Sequence, residues 1–234
     1  MRKKNKKSKE EFGGAKKVGK SILSNLENRF KYSVVPKIPR YIETYHLTLM
    51  TLAWSMLNVI LGFFAKKSLS VLWLVSLMIV LQYLTDLFDG EVGRQRDTGL
   101  IKWGFYMDHF LDYLFLCSLV FVGYMISPKG LEVWYFALVV ILGAFMVNSF
   151  LSFAATNKFE IYYYGIGPTE SRLGFILANI YVIYFGTNNF NLLLPGVVLV
   201  CLGGLIINTY QIQKRLWKFD MDFKSKGDND AQHK

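Results

Sequence analysis

Four aspartates define the chemistry within reach of this chain. Asp86 and Asp89 stand three residues apart, and Asp108 and Asp112 four apart. On helices both spacings put the pair on one face. Two such helices lying side by side would gather four carboxylates at one spot. Crowded carboxylates repel one another, and burial disfavours their charged form. A divalent cation removes the conflict. Hard oxygen donors in a compact cluster suit Mg2+ or Mn2+, and Mg2+ is typically held by carboxylates together with substrate phosphates. Gly90 and Gly93 flank the first pair, and Gly104 precedes the second by one helical turn. Glycine lets a bulky ligand or a neighbouring helix come close to the backbone.

The elements that must position these acids are long apolar runs. Residues 47–65 hold nineteen positions without a charge, and 69–85 carry none before Asp86. Four more runs follow at 113–126, 133–155, 173–186 and 192–210. A bilayer core requires about twenty apolar residues in helical form. Only helices or closed barrels satisfy the backbone there. The runs do not alternate with period two, which excludes a barrel. The expected fold is all-α and polytopic: six transmembrane helices, the fifth with the shortest apolar stretch, preceded by an amphipathic interfacial helix. Asp86 and Asp89 then fall at the carboxyl end of the second span, and Asp108 and Asp112 in the first turns of the third. The connection over 90–104 is short enough to make these helices neighbours.

The net charge of +10 is compatible with nucleic acid binding, but its distribution argues against it. If six helices alternate, 24 of the 27 Lys and Arg fall on one side, including Arg94, Arg96 and Lys102 after the second span and Lys158 and Arg172 after the fourth. Only Lys66, Lys67 and Lys129 fall on the other. That asymmetry puts both termini and the acid cluster in the cytoplasm, in the plasma (inner) membrane for a bacterial chain. The basic face would attract anionic membrane lipids.

Residues 1–13 read as a basic disordered tail. Over 14–40, Val18, Ile22, Leu26, Phe30 and Val34 form one apolar stripe flanked by Lys16, Lys17, Lys20, Arg29 and Lys31, the pattern of a helix lying in the membrane interface. Pro36 and Pro39 break it before the first span. Residues 41–216 make the six-helix domain, and 217–234 a polar tail. The amino terminus is polar for some forty residues, unlike a cleavable signal peptide. Cys117 and Cys201 read as small buried hydrophobes.

A competing account of the acids is a solvated network with Arg94, Arg96 and Lys102. Ionisable residues at a membrane boundary are functional by default, which favours the metal site.

The residues themselves resemble a known family. Asp86-x2-Asp89-Gly90-x2-Gly93-Arg94-x9-Gly104-x3-Asp108-x3-Asp112 is similar to the CDP-alcohol phosphotransferase signature, D-x2-D-G-x2-A-R-x8-G-x3-D-x3-D. Gly93 replaces the usual Ala, and the gap before Gly104 is one residue longer. The resemblance implies a six-helix membrane enzyme, usually a homodimer, with a two-metal Mg2+ or Mn2+ site open to the cytoplasm. By position, Asp86, Asp89 and Asp108 would be metal ligands, and Asp112 would lie near the metals as general base. Gly90 and Arg94 would contact the cytidine diphosphate of the donor, with Gly93 and Gly104 among the motif positions that shape its site. The acceptor hydroxyl would displace CMP.

Two elements resemble the choline and ethanolamine phosphotransferases: Asp108-His109 followed by Asp112, although Phe110 replaces a Gly, and the Gly167-Pro168-Thr169-Glu170 segment. His109 and Glu170 are accordingly candidate catalytic residues. His109 is also readable as lining a helix contact, and Pro168 to Glu170 as a helix start. Tyr162, Tyr163 and Tyr164 suit an interfacial aromatic belt better than a cage for a quaternary ammonium. No basic pocket for a phosphorylated polyol is evident near the acids.

The expected activity is transfer of a substituted phosphate from CDP-choline or CDP-ethanolamine to a lipid acceptor such as diacylglycerol. The alternative is phosphatidyl transfer from CDP-diacylglycerol to a small polar alcohol. A divalent-cation transporter is a distant rival, because it would favour acids near the midplane and internal repeats. A protein that only binds nucleotide or lipid is disfavoured by the intact signature.

Overall fold

The structure, a computed structural model, describes residues 24–156 and 167–232. The predicted 1–13 tail, the first part of the interfacial stripe, Lys158 and Tyr162 to Tyr164 lie outside the described residues. Among those described there are helices and no strands: α1 (Ser24–Val34), α2 (Thr44–Ala65), α3 (Leu72–Arg96), α4 (Ile101–Ile126), α5 (Glu132–Thr156), α6 (Pro168–Phe185) and α7 (Phe190–Gln232). Five are long and apolar enough to cross a membrane: α2, α3, α4, α5 and the Phe190–Ser225 part of α7.

Packing in α2 reverses the pattern of a soluble protein. Its buried residues are Thr44, Leu47, Thr48, Thr51, Ser55, Asn58, Gly62 and Ala65, three or four apart along one stripe. Its exposed face carries Met56, Ile60, Phe63 and Phe64. Small and polar residues inside, with large apolar ones outside, suit helices packing in lipid, where close approach and interhelical hydrogen bonds replace the hydrophobic drive. Asn58 Nδ2 of α2 donates to Ser118 Oγ of α4 at 3.2 Å, and Asn179 Nδ2 of α6 donates to Ser76 Oγ of α3 at 3.0 Å.

Helix α2 is the hub, packing along both α3 and α4, while α3 and α4 touch each other little. Helix α6 packs on α3, and α7 on α5. One apolar core gathers Leu72, Val75 and Ile79 of α3 with Phe115, Leu119 and Val122 of α4 and Val182 of α6. A second joins Tyr135, Leu138 and Ile141 of α5 to Leu194 and Val198 of α7.

Two sequence expectations need correcting. The turn between α3 and α4 is only residues 97–100, because both helices extend into the segment expected to be a connection. Asp97 adopts the left-handed conformation (φ 52°, ψ 46°), which Asp tolerates better than most residues, and Gly99 follows at φ 70°. The acids therefore lie about two helical turns (Asp89 and Asp108) or three turns (Asp86 and Asp112), roughly 10–16 Å, inside the helix ends. Helix α7 carries on into the polar tail, through Gln232. Second, Lys31 is not on a solvated flank of α1. Its side chain is only 13% exposed and lies 3.7 Å from Glu91 of α3.

The break between α1 and α2 has its own support. Proline leaves the chain at 38–42 outside the α-helices, with carbonyls that need donors. Arg96 at the end of α3 supplies them, its guanidinium donating to the carbonyls of Ile38 (3.0 Å), Pro39 (3.1 Å), Arg40 (3.3 Å) and Ile42. Glu43 stands 3.9 Å from the same guanidinium.

Candidate active site

The acids converge across the gap between α3 and α4. Asp86, Asp108 and Asp112, all part-buried, each offer a carboxylate oxygen within 4.8 Å of the other two. Asp89 stands outside this triad but within electrostatic reach of Asp86 and Asp112. It is buried against α2, where Thr48 Oγ1 donates to its Oδ2 at 2.9 Å and Thr44 Oγ1 donates to its backbone carbonyl at 2.7 Å. The small polar stripe of α2 thus holds the fourth acid in place.

Two residues at the cluster went unassigned in the sequence. Gln82, fully buried one turn before Asp86, donates from Nε2 to Asp112 Oδ1 at 2.8 Å. Arg172, counted as a loop charge, belongs to the second turn of α6. One terminal nitrogen, Nη2, lies 2.7 Å from Asp86 Oδ2 and 3.6 Å from Asp112 Oδ1. Its guanidinium lies 5.7 Å from the centre of the Tyr83 ring. Arg172 is a single cation beside a long apolar run, and that was the available signal. It also puts a basic group where the sequence suggested none.

The other motif residues separate by surroundings. Arg94 folds onto buried Glu91, donating through Nε (3.1 Å) and Nη2 (2.8 Å) to Oε2. Gln95 Nε2 donates to Glu91 Oε1 at 3.2 Å. Arg94 and Arg96 thus pair with Glu91 and Glu43, so the solvated network of cluster acids with these arginines is not what forms. A side chain on Gly90 would meet only the Arg94 guanidinium, at 3.4 Å, and one on Gly104 would meet nothing within 4 Å. These two glycines leave room beside the acids. Gly93 does a different job, because Thr44 Oγ1 of α2 would stand 3.3 Å from an added Cβ.

His109 Nδ1 lies 2.7 Å from the Phe105 carbonyl and 3.8 Å from Asp108 Oδ2. A carbonyl only accepts, so Nδ1 carries the proton. The ring packs between Phe105 and Phe150, at 4.5 and 5.5 Å between centroids. At the start of α6 the Gly167 N–H donates to Glu170 Oε2 at 2.8 Å, so this carboxylate caps the helix.

The donor set is the test for a metal. Three carboxylates share one small volume with a fourth close by, and Arg172 pairs with two of them. Four carboxylates outweigh one guanidinium, and their oxygens are the hard donors that Mg2+ and Mn2+ prefer. The residues present therefore fit a divalent cation, with Asp86, Asp108 and Asp112 as the ligands closest to hand.

Comparison with curated protein sequences returns no match. Comparison with family profiles does: CDP-alcohol phosphatidyltransferase matches residues 44–205, enclosing every acid of the cluster, Gly90, Arg94, Gly104 and Arg172. With more than half its length matched, the chain belongs to the CDP-alcohol phosphatidyltransferase family, membrane transferases of phospholipid synthesis that act on CDP-alcohols and generally require a divalent cation.

Proposed function

We propose that the protein transfers a phospho-base from CDP-choline or CDP-ethanolamine to the hydroxyl of a lipid such as diacylglycerol, with release of CMP. The observation that carries this reading is the meeting of Asp86, Asp108 and Asp112 within 4.8 Å at the motif of a family that handles CDP-alcohols. Asp86, Asp89, Asp108 and Asp112 are the proposed ligands of two Mg2+ or Mn2+ ions, and Asp112 serves also as the base. Bound there, the metals supply charge neutralisation of the donor diphosphate.

The rest is the work of the chain. Asp112 takes the proton of the acceptor hydroxyl, whose oxygen forms the new bond to the β-phosphorus as the bond to the CMP oxygen breaks. Gln82 donates to Asp112 Oδ1 and so orients the carboxylate for that task. Gly90 and Gly104 leave space for the nucleotide, Gly93 keeps α3 close to α2, and Arg94 turns from Glu91 to the diphosphate. His109, beside Asp108, and Glu170, on the helix that delivers Arg172, are the groups that favour a phospho-base donor. Catalytic roles for both belong to this reading.

Helix α6, eighteen residues and about 27 Å long, makes the sixth span. The 24-to-3 division of basic residues then supports a cytoplasmic site with both termini on the same side. Helix α1 lies at the interface, and the protein works as a homodimer.

Arg172 favours one second reading. A guanidinium at the cluster suits an anionic acceptor, as in phosphatidyl transfer from CDP-diacylglycerol to a phosphorylated small alcohol. One experiment separates the two. The purified protein is given CDP-choline, CDP-ethanolamine or CDP-diacylglycerol with candidate acceptors and Mg2+ or Mn2+, and CMP and lipid product are measured. Turnover of CDP-choline or CDP-ethanolamine is expected. Turnover of CDP-diacylglycerol alone establishes the second reading, and silence with every donor sinks both.

A further inference from the structure

Helix α1 lies before the matched residues 44–205, yet its charged side chains contact residues that stand next to both arginines at the site. Glu27 and Lys31 are four apart and share a face of the helix. Phe30, between them, packs on Phe88 of α3 with ring centroids 5.8 Å apart. Lys31 Nζ is 3.7 Å from Glu91 Oε2, the oxygen that holds Arg94. Glu27 Oε1 accepts two hydroxyl hydrogens from two helices: Tyr83 of α3 at 3.1 Å and Thr169 of α6 at 3.0 Å. Tyr83 underlies the Arg172 guanidinium, and Thr169 sits one turn before Arg172 on the same helix.

The same short helix thus ends on two cations by two routes. Lys31 shares Glu91 with Arg94. Without Lys31, the full charge of Glu91 falls on Arg94 and holds it harder, while the region loses a positive charge that would attract a diphosphate. Glu27 fixes the spacing of α3 and α6 where Arg172 spans it. Without Glu27, both the aromatic platform under Arg172 and the start of α6 lose a tie. Surface charges with no other task pair with opposite charges or with water. A carboxylate that instead accepts from a tyrosine and a threonine of separate helices works as a strut.

We propose that Glu27 and Lys31 are positioning residues for the transfer, making α1 a wall of the active site: Lys31 acts on the donor through Glu91 and Arg94, and Glu27 acts on the acid cluster through Tyr83, Thr169 and Arg172. The first half rests on the reading of Arg94 as the donor contact; the second needs only the acid cluster.

The test uses the full-length protein and whichever of CDP-choline, CDP-ethanolamine and CDP-diacylglycerol the wild type turns over. Lys31→Met should raise the donor KM about fivefold with kcat within about twofold, and Lys31→Arg should restore KM. In a double-mutant cycle with Glu91→Gln the KM effects should be non-additive, as for residues in direct contact. Glu27→Ala should lower kcat by about tenfold with donor KM little changed, and Thr169→Val with Tyr83→Phe should reproduce it. A purely structural role predicts lost folded protein with unchanged KM and kcat per folded molecule, and that result overturns the proposal. Amide exchange gives a readout independent of turnover: Glu27→Ala should speed exchange at residues 171–175 of α6. Unchanged exchange overturns the strut whatever the activity. A wild type inactive on all three donors sinks the proposed function, while the exchange result still decides on α1.

Discussion

Replacing Arg172 by Met would remove the cation that the structure sets among the acids while keeping much of the side-chain volume. Asp86 loses a 2.7 Å charged hydrogen bond and Asp112 a 3.6 Å ionic contact. Breaking a buried pair costs about 3–5 kcal/mol, and one charged hydrogen bond about 1.5–3 kcal/mol. The acid side chains are 23% and 28% exposed, so water screens part of the loss and a figure of about 2–3 kcal/mol follows. For a chain of this size that is a fall in Tm of about 5–10 °C. The fall should appear in chelator and shrink in Mg2+, because a bound divalent cation takes over the neutralising role and meets no competing guanidinium. Ligand linkage then makes the Mg2+-induced rise in Tm larger in the variant than in the wild type. Thermal unfolding of the detergent-solubilised proteins, with EDTA and with Mg2+, measures both quantities. Arg172→Lys should fall between them, since it keeps the charge and loses the fork. Equal Tm values in EDTA, or equal Mg2+ increments, would refute the reasoning that guanidinium and metal serve the same oxygens.

Other substitutions separate neighbouring roles. Asp112→Asn should abolish CMP release while retaining part of the Mg2+ stabilisation; normal turnover would remove it as the base. Thr48→Val should cost about 1–2 kcal/mol by stripping Asp89 Oδ2 of its donor, visible as a lower Tm, with Thr48→Ser recovering most of the loss. Gly90→Val should fold normally, because it presses only on the flexible end of Arg94, yet bind a CDP-alcohol at least tenfold more weakly in a titration. Gly93→Val should lose stability by about 1–3 kcal/mol in the same unfolding assay, because Thr44 on the facing helix has little room to move.

The cluster was legible because its information is local. Aspartates three and four residues apart commit themselves to one face once the segment is helical, and Asp86, Asp108 and Asp112 do converge. Arg172 could not be placed that way. It lies 86 residues from Asp86, and nothing between them encodes that α6 packs on α3. Glu91 had no assigned role for a similar reason, since its meaning depends on Lys31 arriving from another helix. Helix ends were misjudged where polarity stood in for structure. The polar stretch 90–96 was read as part of a connection but stays helical to Arg96. Hydropathy also concealed which side of α2 faces inward, because threonine, serine and glycine count little in an apolar average although they make the helix contacts.

The Arg96 clasp bears on what counts as one inheritable piece of this molecule. The recognisable segment begins at Thr44, while the carbonyls that Arg96 gathers belong to Ile38, Pro39, Arg40 and Ile42. A graft of residues 44–205 into another chain would carry the guanidinium and leave its acceptors behind, stranding a cation at the end of the helix that bears Asp86 and Asp89. The unit that must travel together therefore starts earlier than the segment shared with relatives. Transplants that respect the elbow at 38–43 should stay intact where those cut at the sequence boundary come apart.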